Sequence, residues 1–112
     1  MSNLISRDEL AVLVDASAAI VVEALPAAYY DDAHIPGAVN IPHTEVRSLA
    51  PALLPDKDAL IVVYCANLPC PNSDLAARVL GKLGYTNVRR YAEGKDDWRD
   101  AGLPLEGAAV TA

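Results

Sequence analysis

The run Ala59-Leu60-Ile61-Val62-Val63-Tyr64 passes directly into Cys65, and the residues after it include prolines at 69 and 71. A short continuous apolar run bounded by turn signals suits a strand buried on both faces, and such strands belong to parallel sheets covered by helices. The two prolines deny the next stretch a helix or a central strand, so a loop must follow Cys65. Beyond it, Leu75, Ala76, Val79, Leu80 and Leu83 share one helical face. A helix capped by Asn72 or Ser73 and closed by Gly84 is therefore expected.

The other segments fit around this strand, cysteine, loop and helix. Ser6-Arg7-Asp8-Glu9 forms a capping box and predicts a helix over about 7–15. Ala19-Ile20-Val21-Val22-Glu23 is a second buried strand, ending in an acid. Pro26 opens a brief helix over 27–33. The punctuated stretch 35–42 reads as a turn entering a short strand, and 44–54 as a helix closed by Pro55. A further strand is expected over 86–91, then a short helix from Gly94 through Trp98, ended by Gly102-Leu103-Pro104. Strands alternating with helices predict an α/β fold with a mostly parallel central sheet flanked by helices. A core with no Phe and one Trp, built from Leu, Val, Ile and Ala, suits that packing. We expect a single domain over 1–112, with its core at about 6–107 and a frayed tail at 108–112.

Charge excludes several partners. Fifteen acids against nine basic residues give −6. A nucleic-acid binder would carry a basic face, and an anionic membrane surface would repel this chain. No apolar run approaches the ~20 residues of a membrane span. The opening residues lack a basic-then-apolar leader, so the expected location is cytoplasmic. Two cysteines there are reactive or buried thiols rather than a disulfide framework. Together with His34 and His43 they show no metal-ligand spacing, and neither a metal nor another cofactor is expected.

In open parallel sheets ligands bind beyond the carboxyl ends of the strands, which is where Cys65 falls. The N-terminus of the following helix presents unpaired N–H groups and partial positive charge. Both favour a thiolate, so the Cys65 pKa is expected below the free value of about 8.5. That makes Cys65 a candidate catalytic nucleophile; a buried strand-end thiol fits the spacing equally well.

Three stretches carry a family resemblance: His34-Ile35-Pro36-Gly37-Ala38-Val39-Asn40-Ile41-Pro42; Val62-Val63-Tyr64-Cys65; and Leu80-Gly81-Lys82-Leu83-Gly84-Tyr85 followed by Glu93-Gly94, Trp98 and Ala101-Gly102-Leu103-Pro104. In this order and spacing the chain, over about 6–107, resembles a single-domain rhodanese. The resemblance implies a rhodanese-like three-layer fold and a sulfurtransferase. Its Cys65 would take a sulfane sulfur from a small-molecule donor or persulfide, then pass it to a thiol, another nucleophile or an acceptor protein. It implies no cofactor.

This chain departs from the family pattern in two places. Its loop is long, of the form C-x4-C-x-N-S, and holds no Lys or Arg. After Pro69 and Pro71 are removed, the backbone donors are Ala66, Asn67, Leu68, Cys70, Asn72 and Ser73. Anionic donors must then be held by amides and the helix dipole, which argues against thiosulfate as natural donor. Where the family carries Asp-x-Arg after its first strand, this chain has Glu23-Ala24-Leu25. Glu23 and His34 are read as supporting residues, an internal acceptor and a loop-bonding imidazole. Cys70 is either incidental or a resolving cysteine that closes a disulfide with Cys65. A non-catalytic or redox-regulatory module using Cys65 and Cys70 is the alternative function. A phosphatase-like use of the loop would need a phosphate-clamping Arg where Asn72 or Ser73 stands.

Overall fold

The structure is a computed structural model that describes residues 3–108. Its elements are α1 (Arg7–Asp15), β1 (Ile20–Glu23), α2 (Ala27–Asp32), β2 (Val39–Asn40), α3 (Val46–Leu53), β3 (Ile61–Tyr64), α4 (Asn72–Lys82), β4 (Val88–Tyr91) and α5 (Gly94–Asp100), with a 3-10 turn at His43–Glu45 before α3. All four strands run parallel in the order β2-β1-β3-β4. This is the expected α/β architecture. Its four carboxyl ends share one edge.

Side-chain alternation builds the layers. Ile61 and Val63 with Val22 face α3 and α4, packing on Ala50, Leu54, Ala76 and Leu80. Val62 and Tyr64 with Val21 face the other way, onto Leu10, Ile35, Tyr91 and Trp98. Burying each larger side chain contributes roughly 1.5–3 kcal/mol. All four β3 residues are fully buried, which is why that strand reads as an unbroken apolar run. Ser6 and Glu9 close the capping box reciprocally at 3.1 Å.

One local expectation is corrected. The cap of α4 is Pro71, with no side-chain cap bond, so neither Asn72 nor Ser73 caps it. Proline at that boundary has its φ already set and no N–H to leave unpaired, and both candidates fall into the first turn. The tail is tied down at its start, where Ala108 N–H donates to Asp31 O at 2.8 Å and Glu106 exchanges backbone hydrogen bonds with His34. Residues 109–112 of that tail lie outside the described residues. Among the described residues no helix is long and apolar enough to cross a membrane.

Candidate active site

β3 delivers Cys65 to the carboxyl edge of the sheet, where the backbone after it is held by α5. Lys95 N–H donates to Cys65 O and Asp96 N–H to Ala66 O, both at 2.9 Å. In a trans peptide the N–H lies opposite its C=O. Fixing these two carbonyls on α5 therefore turns the Ala66 and Asn67 amides the other way, away from α5. Gly94 permits the approach. Its φ is +76°, and a Cβ there would stand 2.7 Å from Cys65 O, Ala66 C and Asn67 N. A side chain would collide with backbone, which cannot yield cheaply.

Beneath this clamp lies a buried polar knot. The Glu23 side chain is 0% exposed and that of Lys95 7%, with Lys95 Nζ 3.1 Å from both Glu23 oxygens. Tyr64 OH donates to Glu23 Oε1 at 2.6 Å and accepts from Ile35 N–H at 3.0 Å. Lys95 Nζ also donates to Tyr29 O and Ala33 O. A buried charge pair persists only when its remaining donors and acceptors are matched in this way. Burial beside Glu23 pushes the Tyr64 phenol far above its ordinary pKa, so it stays a donor.

The thiol itself is closed in. Cys65 is 1% exposed, and both cysteines are free thiols. Its Sγ lies 3.4 Å from Cys70 O and 3.6 Å from Ser73 Oγ. The expectation of a lowered Cys65 pKa is corrected: it is raised, first by burial and next by the Cys70 side chain. The Ser73 hydroxyl and backbone N–H pull the other way. The helix terminus therefore acts as expected through Ser73, but dehydration and the neighbouring Cys70 thiol outweigh it.

A cation does reach the site, from a distant strand. Arg90 on β4 donates from Nε to Ser73 Oγ at 3.2 Å, and its Nη1 stands 3.6 Å from Asp74. By occupying a lone pair of Ser73, Arg90 leaves the hydroxyl hydrogen for an ionised sulfur. To the amides and helix dipole expected to serve the loop in the main, the fold thus adds a guanidinium from β4. Arg90 also lines a cleft of about 540 Å³ between α4 and β4.

The remaining loop residues divide. Cys70 N–H donates to Asn67 O at 3.2 Å, so this amide is spent within the loop, while the Asn67 side chain donates to Asp96 at 3.3 Å. Leu68 is 66% exposed, and Asn72 opens α4. His34 stands apart from Cys65, with Nδ1 2.8 Å from Tyr30 O and its ring stacked on Tyr30. Among the described residues no cluster of three or more His, Cys, Asp or Glu is arranged to hold a metal.

Sequence reading missed Lys95, Arg90 and Tyr64. For Lys95 a signal was present, since an acid ending a strand buried on both faces requires a buried cation. For Arg90 the signal was weaker: Arg89 and Arg90 are adjacent on a strand, so they must face opposite ways.

A parallel sheet with a thiol at the carboxyl end of its central strand, a loop over it and a helix directed at it defines a rhodanese-type α/β domain. The chain belongs to this family: the pattern described as the Rhodanese-like domain matches residues 6–101. It is 38% identical to an HTH-type transcriptional regulator, Rv0324, of Mycobacterium tuberculosis, over 96% of this chain and 47% of the regulator. To the thiosulfate sulfurtransferase PspE of Escherichia coli it is 36% identical, over 60% of this chain and 62% of that enzyme. The human single-domain sulfurtransferase TSTD1 superposes with a TM-score of 0.79 at 25% identity, covering 89% of this chain and 97% of the human one. The chain thus spans less than two thirds of the length of the curated relatives it matches.

Proposed function

We propose that residues 6–107 form one cytoplasmic sulfurtransferase domain in which Cys65 accepts a sulfane sulfur as a persulfide and passes it to a thiol or another nucleophile. The observation that carries this reading is the Ser73 pair, hydroxyl and amide, set at the Cys65 sulfur with Arg90 behind it. In the first half-reaction the Cys65 thiolate attacks the outer sulfur of a donor. The donor's S–S bond breaks and the leaving group (sulfite from thiosulfate, a thiolate from a low-molecular-weight persulfide) departs with the bonding electrons. The second half-reaction reverses the roles, with an acceptor attacking the outer sulfur.

The loop tip must move for a donor to enter, and the placement of bonds supports that division of labour. The stem at 65–67 is tied to α5, whereas Leu68, Pro69 and Pro71 at the tip are exposed. Lifting the Cys70 carbonyl from Sγ removes an acceptor that favours the neutral thiol, so opening both admits the donor and eases ionisation. The net acidity of the chain favours a neutral or protein-borne donor over thiosulfate.

Intact mass spectrometry after incubation with glutathione persulfide tests the reading. We expect one added sulfur, about 32 Da, absent from Cys65→Ser. No adduct with either glutathione persulfide or thiosulfate would overturn it. The similarity to a transcriptional regulator favours a second reading, a regulatory module in which Cys65 and Cys70 sense oxidants. Under that reading mild peroxide closes a Cys65–Cys70 disulfide and no sulfur donor leaves an adduct.

A further inference from the structure

Cys65 and Cys70 differ in access. Cys65 is 1% exposed, beyond the reach of a folded partner, while Cys70 lies in the loop above it and is half-buried. Residue 70 is also in contact with the reactive atom, since its carbonyl oxygen stands 3.4 Å from Cys65 Sγ. A guest sulfur bonded to Cys65 extends about 2.05 Å beyond Sγ. It must occupy the space that this carbonyl closes, and so it emerges against Cys70. From this juxtaposition, and resting on the sulfur-accepting role of Cys65, we propose that Cys70 is a relay: it takes the outer sulfur from buried Cys65 and presents it as a Cys70 persulfide to a protein-borne thiol.

The step balances without an oxidant. Cys70 sulfur attacks the outer sulfur of the Cys65 persulfide, the bond between Cys65 Sγ and that sulfur breaks, and Cys65 Sγ leaves with the electron pair. The proton of the Cys70 thiol ends on Cys65, and the anionic persulfide ends on Cys70. Charge thus moves from a dehydrated position to a wetter one, the direction burial favours. It leaves Cys65 as a neutral thiol donating to the Cys70 carbonyl at 3.4 Å, in the buried position where the neutral form is favoured. A resolving role would require a direct Sγ–Sγ bond of about 2.05 Å, with the carbonyl moved aside. A relay instead places one sulfur atom between the two.

The test loads wild type, Cys65→Ser and Cys70→Ser with glutathione persulfide, blocks with iodoacetamide, and locates the added sulfur by fragmenting the peptide that holds both cysteines. Transfer is then followed to cyanide and to reduced serum albumin, a protein-borne thiol. We expect sulfur on both cysteines of the wild type, on neither in Cys65→Ser, and on Cys65 alone in Cys70→Ser. In Cys70→Ser, transfer to albumin should fall at least tenfold, and transfer to cyanide, a small nucleophile that needs less opening of the loop, by much less. Equal thermal unfolding of Cys70→Ser and wild type excludes a folding defect. Sulfur confined to Cys65 in the wild type, or undiminished transfer to albumin by Cys70→Ser, overturns the relay and leaves the Cys65 role standing. So does a loss of two hydrogens with release of hydrosulfide, which would make Cys70 a resolving cysteine. Failure of the wild type to load at all overturns the Cys65 role itself.

Discussion

Two polar clusters occupy the same carboxyl edge of the sheet and are built to opposite specifications. In the Glu23–Tyr64–Lys95 knot the side chains are dry, the Tyr64–Glu23 bond is 2.6 Å and the ammonium group has four oxygen neighbours. In the Cys65–Ser73–Arg90–Asp74 cluster the contacts stretch to 3.2–3.6 Å, and the Arg90 and Asp74 side chains are 25% and 40% exposed. Saturated, buried groups hold geometry. Looser, partly wet groups can change partners as charge comes and goes. Position in the backbone does not separate the clusters, for Tyr64 and Cys65 are neighbours. What separates them is whether each donor and acceptor has a fixed mate.

The largest expected effect comes from breaking the first cluster. Lys95→Met leaves Glu23 buried without its cation and should cost about 3–5 kcal/mol, read as a lowered urea midpoint. Adding Glu23→Leu to Lys95→Met should recover part of that loss. A Lys95→Met chain as stable as wild type would mean that the knot does not hold the edge together. Next comes the join between the clusters. Gly94→Ala must relieve a 2.7 Å approach to the Cys65–Asn67 backbone and adopt a φ that costs an L-residue about 1–2 kcal/mol. Sulfur loading should drop at least tenfold and stability should fall by more than that conformational cost alone, since the clash is with backbone; a change in stability alone would separate the clamp from the chemistry.

The smallest effect on the fold, confined to rate and pH, belongs to Ser73→Ala. It deletes a hydroxyl whose bond to an ionised sulfur is worth roughly 1.5–3 kcal/mol, so loading should slow by roughly ten- to a hundredfold. The pH for half-maximal iodoacetamide alkylation of resting Cys65 should lie above that of an ordinary cysteine, and Ser73→Ala should raise it further, because Ser73 lowers the Cys65 pKa. The sign for stability follows. A raised folded pKa means the neutral thiol favours the fold at pH below the unfolded value of about 8.5, and this contribution is lost as pH rises through the folded value. An alkylation midpoint below that of free cysteine would reverse the assignment of burial as the dominant influence.

The contrast between clusters also explains what could be read from the sequence. Element order, the parallel sheet and the place of Cys65 were legible because each follows from local pattern: apolar runs at 19–23 and 59–64, a helical stripe at 75–83, glycine and proline punctuation between them. The need of buried Glu23 for a cation was legible, but not that Lys95 supplies it or that Arg90 reaches Ser73, because these partners meet only across the folded edge. The pKa of Cys65 was misjudged for a related reason. A helix N-terminus can be seen in a sequence, but the folding of the loop that buries Cys65 and brings the Cys70 side chain to it cannot. The cap of α4 was misplaced by one rule outranking another, with Pro71 fixing the boundary ahead of the side chains suited to cap it.

Lys95 serves two masters. Its main-chain nitrogen grips the carbonyl of Cys65, while its side chain is sunk among oxygens of β1 and the α2 segment. The segment around Tyr29–Ala33 and the Cys65 thiol are thereby coupled like two ends of a single rivet, so that a rotation of that short helix would drag the sulfur's seat with it.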